Sequence, residues 1–258
     1  MQQTFRSLVR CASALLAAAA GLAHAAQPMS QQDTAGAISN YDILGVKLGM
    51  PEADAIAAIK KRFPAGAKDG MGNAINLKQS DYMMSHPVTR QPVRAGVRFD
   101  LHPEQKTNFD FVKIFTVNGK VWAIWRDEAS SVYDYDKTSA DIKAKYPGAA
   151  PFEDYYDVVQ NNKRTAETGW NGQYLVQGKC NKPPLWAAGS DSMTLEPGCN
   201  KILWMMYAVR KTEGVKTLGA GKTQLVDVDA GRQFFASMRG EAASAAAADA
   251  KRGGDAKL

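Results

Sequence analysis

GVKLGMPEADAIAAIKKRFP, Gly45 to Pro64, reads as a short extended lead-in that becomes a helix at Pro51. The fixed φ of proline suits a first helical turn, and Glu52 and Asp54 lie where the positive end of the helix dipole favours carboxylates. Ile56, Ile59 and Phe63 recur at helical spacing, and Pro64 stops the run. Met50 stands where Ser, Thr or Asp would cap the first turn, so the cap is imperfect.

The same pattern returns in YDYDKTSADIKAKYPG, Tyr133 to Gly148. Tyr135, Ile142 and Tyr146 share one helical face, and Pro147 is the stop. KRFPAG and AKYPGA place these stops 83 residues apart, at Pro64 and Pro147, and strand-like sequence follows each. The expected fold class is therefore α+β: two similar helix-on-antiparallel-sheet units, with an internal repeat that fits a tandem duplication. The expected units are residues 40–128 and 129–240.

The clearest hairpin is FVKIFTVNGKVWAIWRDE, Phe111 to Glu128, around the two-residue turn Asn118-Gly119. Counting outward pairs Val117 with Lys120, Phe115 with Trp122 and Val112 with Trp125. Alternation then puts Val112, Ile114, Thr116, Val121, Ala123 and Trp125 on a core face. The other face carries Phe111, Lys113, Phe115, Val117, Lys120, Trp122, Ile124 and Arg126. Phe115, Trp122, Ile124 and Arg126 are candidate binding residues there, because aromatics and arginine concentrate in binding hot spots; the alternative is that a helix or the C-terminal segment covers them.

In the second half GWNGQYLVQGKC and CNKILWMMYAVRK read as strands. Ile202 to Val209 is apolar on both faces, the mark of a central strand. Between the strands lies a loop rich in proline and glycine that displays Trp186, a further candidate contact residue. The segment 241–258 lacks large apolar anchors and reads as a disordered tail, while Phe234, Phe235 and Met238 just before it suit a short closing helix.

The N-terminal residues carry Arg6 and Arg10, an apolar run from Cys11 to Leu22, and Ala23-His24-Ala25. This is the pattern of a signal peptide, residues 1–25, cleaved near Ala25, and it implies a periplasmic protein with no stable membrane span. Loss of Arg6 and Arg10 lowers the net charge from +6 to +4. Cations are scattered among anions, which gives no footprint for nucleic acid. Cys180 and Cys199 remain as an even pair in an oxidising compartment, so one disulfide is expected, worth about 3 kcal/mol by loop entropy.

Several catalytic patterns fail on named residues. GAGKT, Gly219 to Thr223, lacks the first glycine of a phosphate loop, whose place is held by Lys216. The calcium-like DYDKTSADIKAK has Ser139 where the turn glycine belongs and Lys145 in place of the bidentate glutamate. GSDSM, with Ser190 and Ser192, is not a nucleophile elbow. FDLHPE puts Asp100, His102 and Glu104 on one side of an extended strand, a candidate metal or proton-transfer set. With His86 the only other histidine after the leader and no closely spaced second pair, no metal or cofactor is assigned.

GVKLGMPEADAIAAIKKRFP also resembles the glycine-Met-acidic-helix signature of small secreted helix-plus-sheet modules. These include the small lipoprotein of the outer-membrane β-barrel assembly machinery and the β-lactamase inhibitor protein. The resemblance implies helices on an antiparallel sheet and a protein-binding role, with no catalytic residues to carry over. Unlike the lipoprotein, this chain has no lipid-attachment cysteine at the end of its apolar run. The function expected is an exported, non-enzymatic protein that binds an envelope protein or exported enzyme. Two alternatives are a binder of a small ligand or cell-wall fragment in a cleft between the units, stacking on Trp170, Trp186 or Trp204, and a hydrolase around His102.

Overall fold

The computed structural model describes residues 37–86, 88–105, 110–128, 132–146, 154–155, 166–178, 199–212 and 215–253. Its first half comprises α1 (Ala37–Asn40), β1 (Asp42–Ile43), β2 (Val46–Lys47), α2 (Glu52–Arg62), β3 (Lys78–Ser85), β4 (Pro92–Asp100), β5 (Phe111–Val117) and β6 (Lys120–Glu128). The second half follows with β7 (Tyr133–Asp134), α3 (Tyr135–Lys145), β8 (Asp154–Tyr155), β9 (Ala166–Gly178), β10 (Cys199–Thr212), β11 (Val215–Asp227) and α4 (Val228–Gly253). One antiparallel sheet runs in the order β3-β4-β5-β6-β11-β10-β9-β8, with β7 added onto β11. The α+β class expected from the sequence is what the chain adopts.

Each half runs helix, then four strands, and the second set crosses the sheet in reverse. The last strands of the two halves, β6 and β11, therefore meet, pairing from Ala123↔Val226 to Glu128↔Gly221. Both helices have 11 residues and end alike. Phe63 has φ −122° and ψ 71° and bonds the Ile59 carbonyl; Tyr146 has φ −128° and ψ 68° and bonds the Ile142 carbonyl. The strands differ more: β3 and β4 have 8 and 9 residues, β8 and β9 have 2 and 13. All described residues lie in one compact unit, so the boundary expected near residue 128 is spanned by a continuous sheet.

The helix begins one residue later than expected, with Pro51 and not Met50 as its N-cap and no side-chain cap bond; the hairpin makes this good. Glu52 donates its N–H to the Gly119 carbonyl at 2.9 Å, Gly49 donates to Val121 at 2.7 Å and Val121 donates back to Met50 at 2.9 Å. The N-terminus of α2 is thus seated on the Asn118-Gly119 turn, whose two residues have φ of 50° and 70°. An orphan helical N–H finds its acceptor in the sheet, where a side chain would normally supply it. α3 is capped by its own Asp134, which accepts from the Lys137 N–H at 2.7 Å, and its C-cap Tyr146 anchors it by donating its hydroxyl to the Asp42 carbonyl at 2.7 Å and packing edge-on against Tyr41.

The hairpin departs from simple alternation. Thr116 pairs with Val121 as expected, but Phe115 pairs with Ala123, so the register shifts there by one residue at Trp122. A one-residue slip moves every later side chain to the opposite face. Ile124 and Arg126 accordingly leave the expected mixed face, and Trp125 leaves the expected core face. Ile124 joins the core beneath α1 and α2 with Val97, Phe99, Val112, Ile114, Leu203, Met205 and Leu225. Trp125 stands opposite Lys113 on the other side.

That other side is covered by α4, which is longer than the short closing helix expected. Phe234, Met238 and Val228 are buried against the sheet, and the helix continues to Gly253, into the segment expected to be disordered. Alanine, abundant there, has the highest helix propensity. β10 is the central two-sided strand expected from Ile202 to Val209, lying between β9 and β11. Lys222 and Thr223 of GAGKT lie in β11 and are paired on both sides, so that stretch is sheet and cannot wrap a phosphate.

Gly231 of α4 lies against the Trp122 ring, where an added Cβ would stand 2.6 Å from Cζ3. Gly240, on the same helix, would meet nothing within 4 Å. Gly231→Leu is expected to lose about 1–3 kcal/mol by overpacking, whereas Gly240→Ala should gain up to about 1 kcal/mol from helix propensity. Thermal unfolding of the two variants checks this; equal effects would mean that α4 does not pack on Trp122 as described.

Candidate functional site

Of the residues expected to form a binding surface, Trp122 is fully buried and Phe115 is 1% exposed; Ile124 and Arg126 are also buried. Trp122 packs on Phe115, Phe234 and Phe235 at centroid distances of 5.4, 5.8 and 6.3 Å, and Phe115 on Tyr82 at 5.2 Å. The expected open face is therefore corrected to a second core layer under α4, while Ile124 and Arg126 sit on the reverse side because of the register shift. Trp186 lies outside the described residues, as does Cys180 and with it the predicted bond to Cys199. Ser190 and Ser192 lie outside them too.

What the structure does bring together is a polar cluster at the junction of the halves. Arg126 of β6 is its centre. Its guanidinium bonds the Asp110 carboxylate, donates to the carbonyls of Phe111 and Asp127 at 3.2 and 2.6 Å, and lies 3.2 Å from Glu128. Burial works against this charge, but Glu128 and Asp110 outweigh it and hold the guanidinium protonated. Burial pushes the Glu128 carboxyl up, with Arg126 pulling it back and Tyr133 of β7 hydrogen bonded to it. Burial likewise raises Asp127, against the pull of Lys222 from β11 at 3.7 Å. Tyr207 of β10, its phenol raised first by burial and then by Glu128, bonds Thr223 and lays its ring over Gly221, where a Cβ would collide with it.

His102 borders this cluster. Its ring is 2% exposed, with Nε2 3.3 Å from Asp69 and 4.0 Å from Asp110, and Nδ1 3.7 Å from Glu104. Among the described residues neither ring nitrogen has a hydrogen-bond partner. Asp69 is held by N–H groups of Met71 and Asn73 at 2.9 and 2.8 Å; burial opposes its charge, but these bonds and Asn73's amide keep its carboxyl below the usual range. Asp100 does not join. β4 ends at Asp100, so the alternation stops there, and the carboxylate turns to Arg98 at 2.5 Å. Of the Asp100, His102 and Glu104 set, only the last two come together, joined by Asp69 and Asp110.

An imidazole among carboxylates has the composition of a general base, yet a base must reach the proton it takes. This one is enclosed. Among the described residues no group of three or more His, Cys, Asp or Glu is arranged to hold a metal ion. The cluster joins the loop at Asp69, the turn at His102 and the start of β5 to strands of both halves.

On the α4 side a second feature was not legible in the sequence. Lys113 is buried, with Nζ 4.2 Å from the Tyr82 ring centre, 4.8 Å from Trp125 and 5.2 Å from Phe111, and it bonds the Tyr82 hydroxyl at 3.0 Å. Cation–π attraction in a desolvated cage holds the ammonium there. Register continues the row through Trp125↔Gln224 and Gln224↔Trp204.

Glu128 yields a pH prediction. Its native carboxyl lies above the ordinary value of 4.5, so the native chain takes up that proton before the unfolded chain does as pH falls. Its penalty is full at high pH and fades as pH drops through the native value. Glu128→Gln should therefore flatten the rise in urea midpoint between neutral and mildly acidic pH. Parallel profiles for the two proteins would contradict the burial of a charged Glu128.

The chain matches no family model, no curated protein and no solved structure.

Proposed function

We propose that this chain is an exported, non-catalytic binding protein that recognises an envelope protein or an exported enzyme by strand addition along β3. The observation that carries the reading is the outer ladder edge of β3, which among the described residues meets no further strand. It is an outer strand of the sheet, paired among the described residues only with β4, and six of its eight residues are exposed. Such an edge is a template for another extended chain, whose main-chain bonds supply affinity while alternate side chains supply specificity.

Both faces of the central strands are occupied, one by α1 and α2 and the other by α4. The β6–β11 ladder fills the seam where a ligand cleft between the halves would lie. Trp204 is buried, and the side chains of Trp170 and Trp186 lie outside the described residues. These points favour a macromolecular partner over a small ligand. Among the described residues no helix is long and apolar enough to cross a membrane. Export through cleavage near Ala25, and kinship with the small secreted modules, belong to the same proposal.

Crosslinked capture from periplasm, comparing the wild type with Gln79→Lys/Met83→Lys, tests it, since both side chains are exposed on β3. Lysines on an edge oppose strand addition. A partner recovered by the wild type should fall about tenfold with the variant, a loss near 1.4 kcal/mol, at unchanged thermal stability. Equal recovery, or no crosslinked protein at all, would overturn the reading.

A further inference from the structure

The loop between β3 and β4 closes around one imidazole. His86 donates its backbone N–H to the Gln91 carbonyl at 2.8 Å and accepts from Arg90 N–H at 3.1 Å, with Arg90 in the left-handed region at φ 61°. Its side chain Nδ1 accepts from the N–H groups of Val88 and Thr89, each at 3.1 Å. With Nδ1 an acceptor, the ring hydrogen lies on Nε2, which meets the Met238 carbonyl of α4 at 2.9 Å. The ring is 5% exposed. One neutral side chain thus fixes a loop on one side and a helix on the other.

We propose that His86 is an acid-sensitive latch that holds α4 over the aromatic layer of the sheet. A second proton can go only to Nδ1. There it faces two N–H donors that it previously bonded, so either the ring leaves its place or the loop opens. In both cases the geometry that presents Nε2 to Met238 is lost. The charged residues next in sequence to these contacts are Arg90 in the loop and Arg239 on α4, both exposed cations; among the described residues no carboxylate is hydrogen bonded to the ring.

Loosening α4 uncovers Trp122, which Phe234 and Phe235 now cover, and with it the edge of Phe115 packed on Trp122. Acidification would thereby turn a closed face into an apolar aromatic surface. This inference stands on the His86 contacts and is independent of the β3 edge.

Hydrogen exchange of the full chain across a pH series, read by mass spectrometry on residues 228–240 with the β5–β6 hairpin as internal reference, tests the latch. After correction for intrinsic exchange, α4 opening should increase about tenfold per pH unit once the imidazole begins to protonate. His86→Asn, which keeps an acceptor near the Nδ1 position and does not titrate, should show no such rise. Flat α4 protection in the wild type, or the same rise in the variant, overturns the proposal. Should the variant not fold, the wild-type profile decides: α4 and residues 86–91 opening together ahead of β5–β6 supports the latch, and simultaneous opening of all three rejects it.

Discussion

The pairing of β6 with β11 is the constraint on which the rest depends. Each half supplies a helix and four strands, and each would leave its last strand with an open edge. Joining those edges from Ala123↔Val226 to Glu128↔Gly221 makes one sheet. It also brings Leu225 and Ile124 into one core with Leu203 and Met205. Arg126, Asp127 and Glu128 of one half thereby meet Lys222, Tyr133 and Tyr207 of the other. These charges sit in the interior because the seam runs through it. They are satisfied largely by one another, which is the condition for a buried charge to be tolerated.

The register shift at Trp122 decides what each side of that sheet does. Without it Ile124 and Arg126 would lie beneath α4, and the polar cluster would have no central cation. With it, Arg126 reaches Asp110 and Glu128, while Trp122 stays on the α4 side and fills the space left by Gly231. Lys113 and Trp125 are opposed on that same side. Two distinct layers result, one aliphatic under α1 and α2 and one aromatic under α4. Among the described residues, what the sheet leaves exposed is accordingly its β3 edge.

Much of the architecture was legible because local chemistry and global packing agree. Proline stops, isoleucine spacing and the Asn118-Gly119 turn each act over a few residues, and each gives the element the sequence implies. The apolar run of β10 announced its central place. What could not be read depends on residues distant in sequence. The shift at Trp122 carries no local signal, and alternation counted from the turn therefore assigned Ile124, Trp125 and Arg126 to the wrong sides. The reach of α4 was hidden by a lack of large side chains, although its alanines favour helix. Asp69 and Asp110 meet His102 only through loop closure, so the sequence offered Asp100 in their place. His86, a lone histidine in a loop, gave no hint of its bond to Met238.

Joined through β6 and β11, the two halves form a single cooperative body. Native-state hydrogen exchange across a urea series measures this most directly, following amides of β4 and β5 in one half and β9 and β10 in the other. The slowest amides of both halves should merge onto one unfolding isotherm with a common free energy and slope. Two isotherms, with one half opening fully while the other keeps its protection, would contradict it.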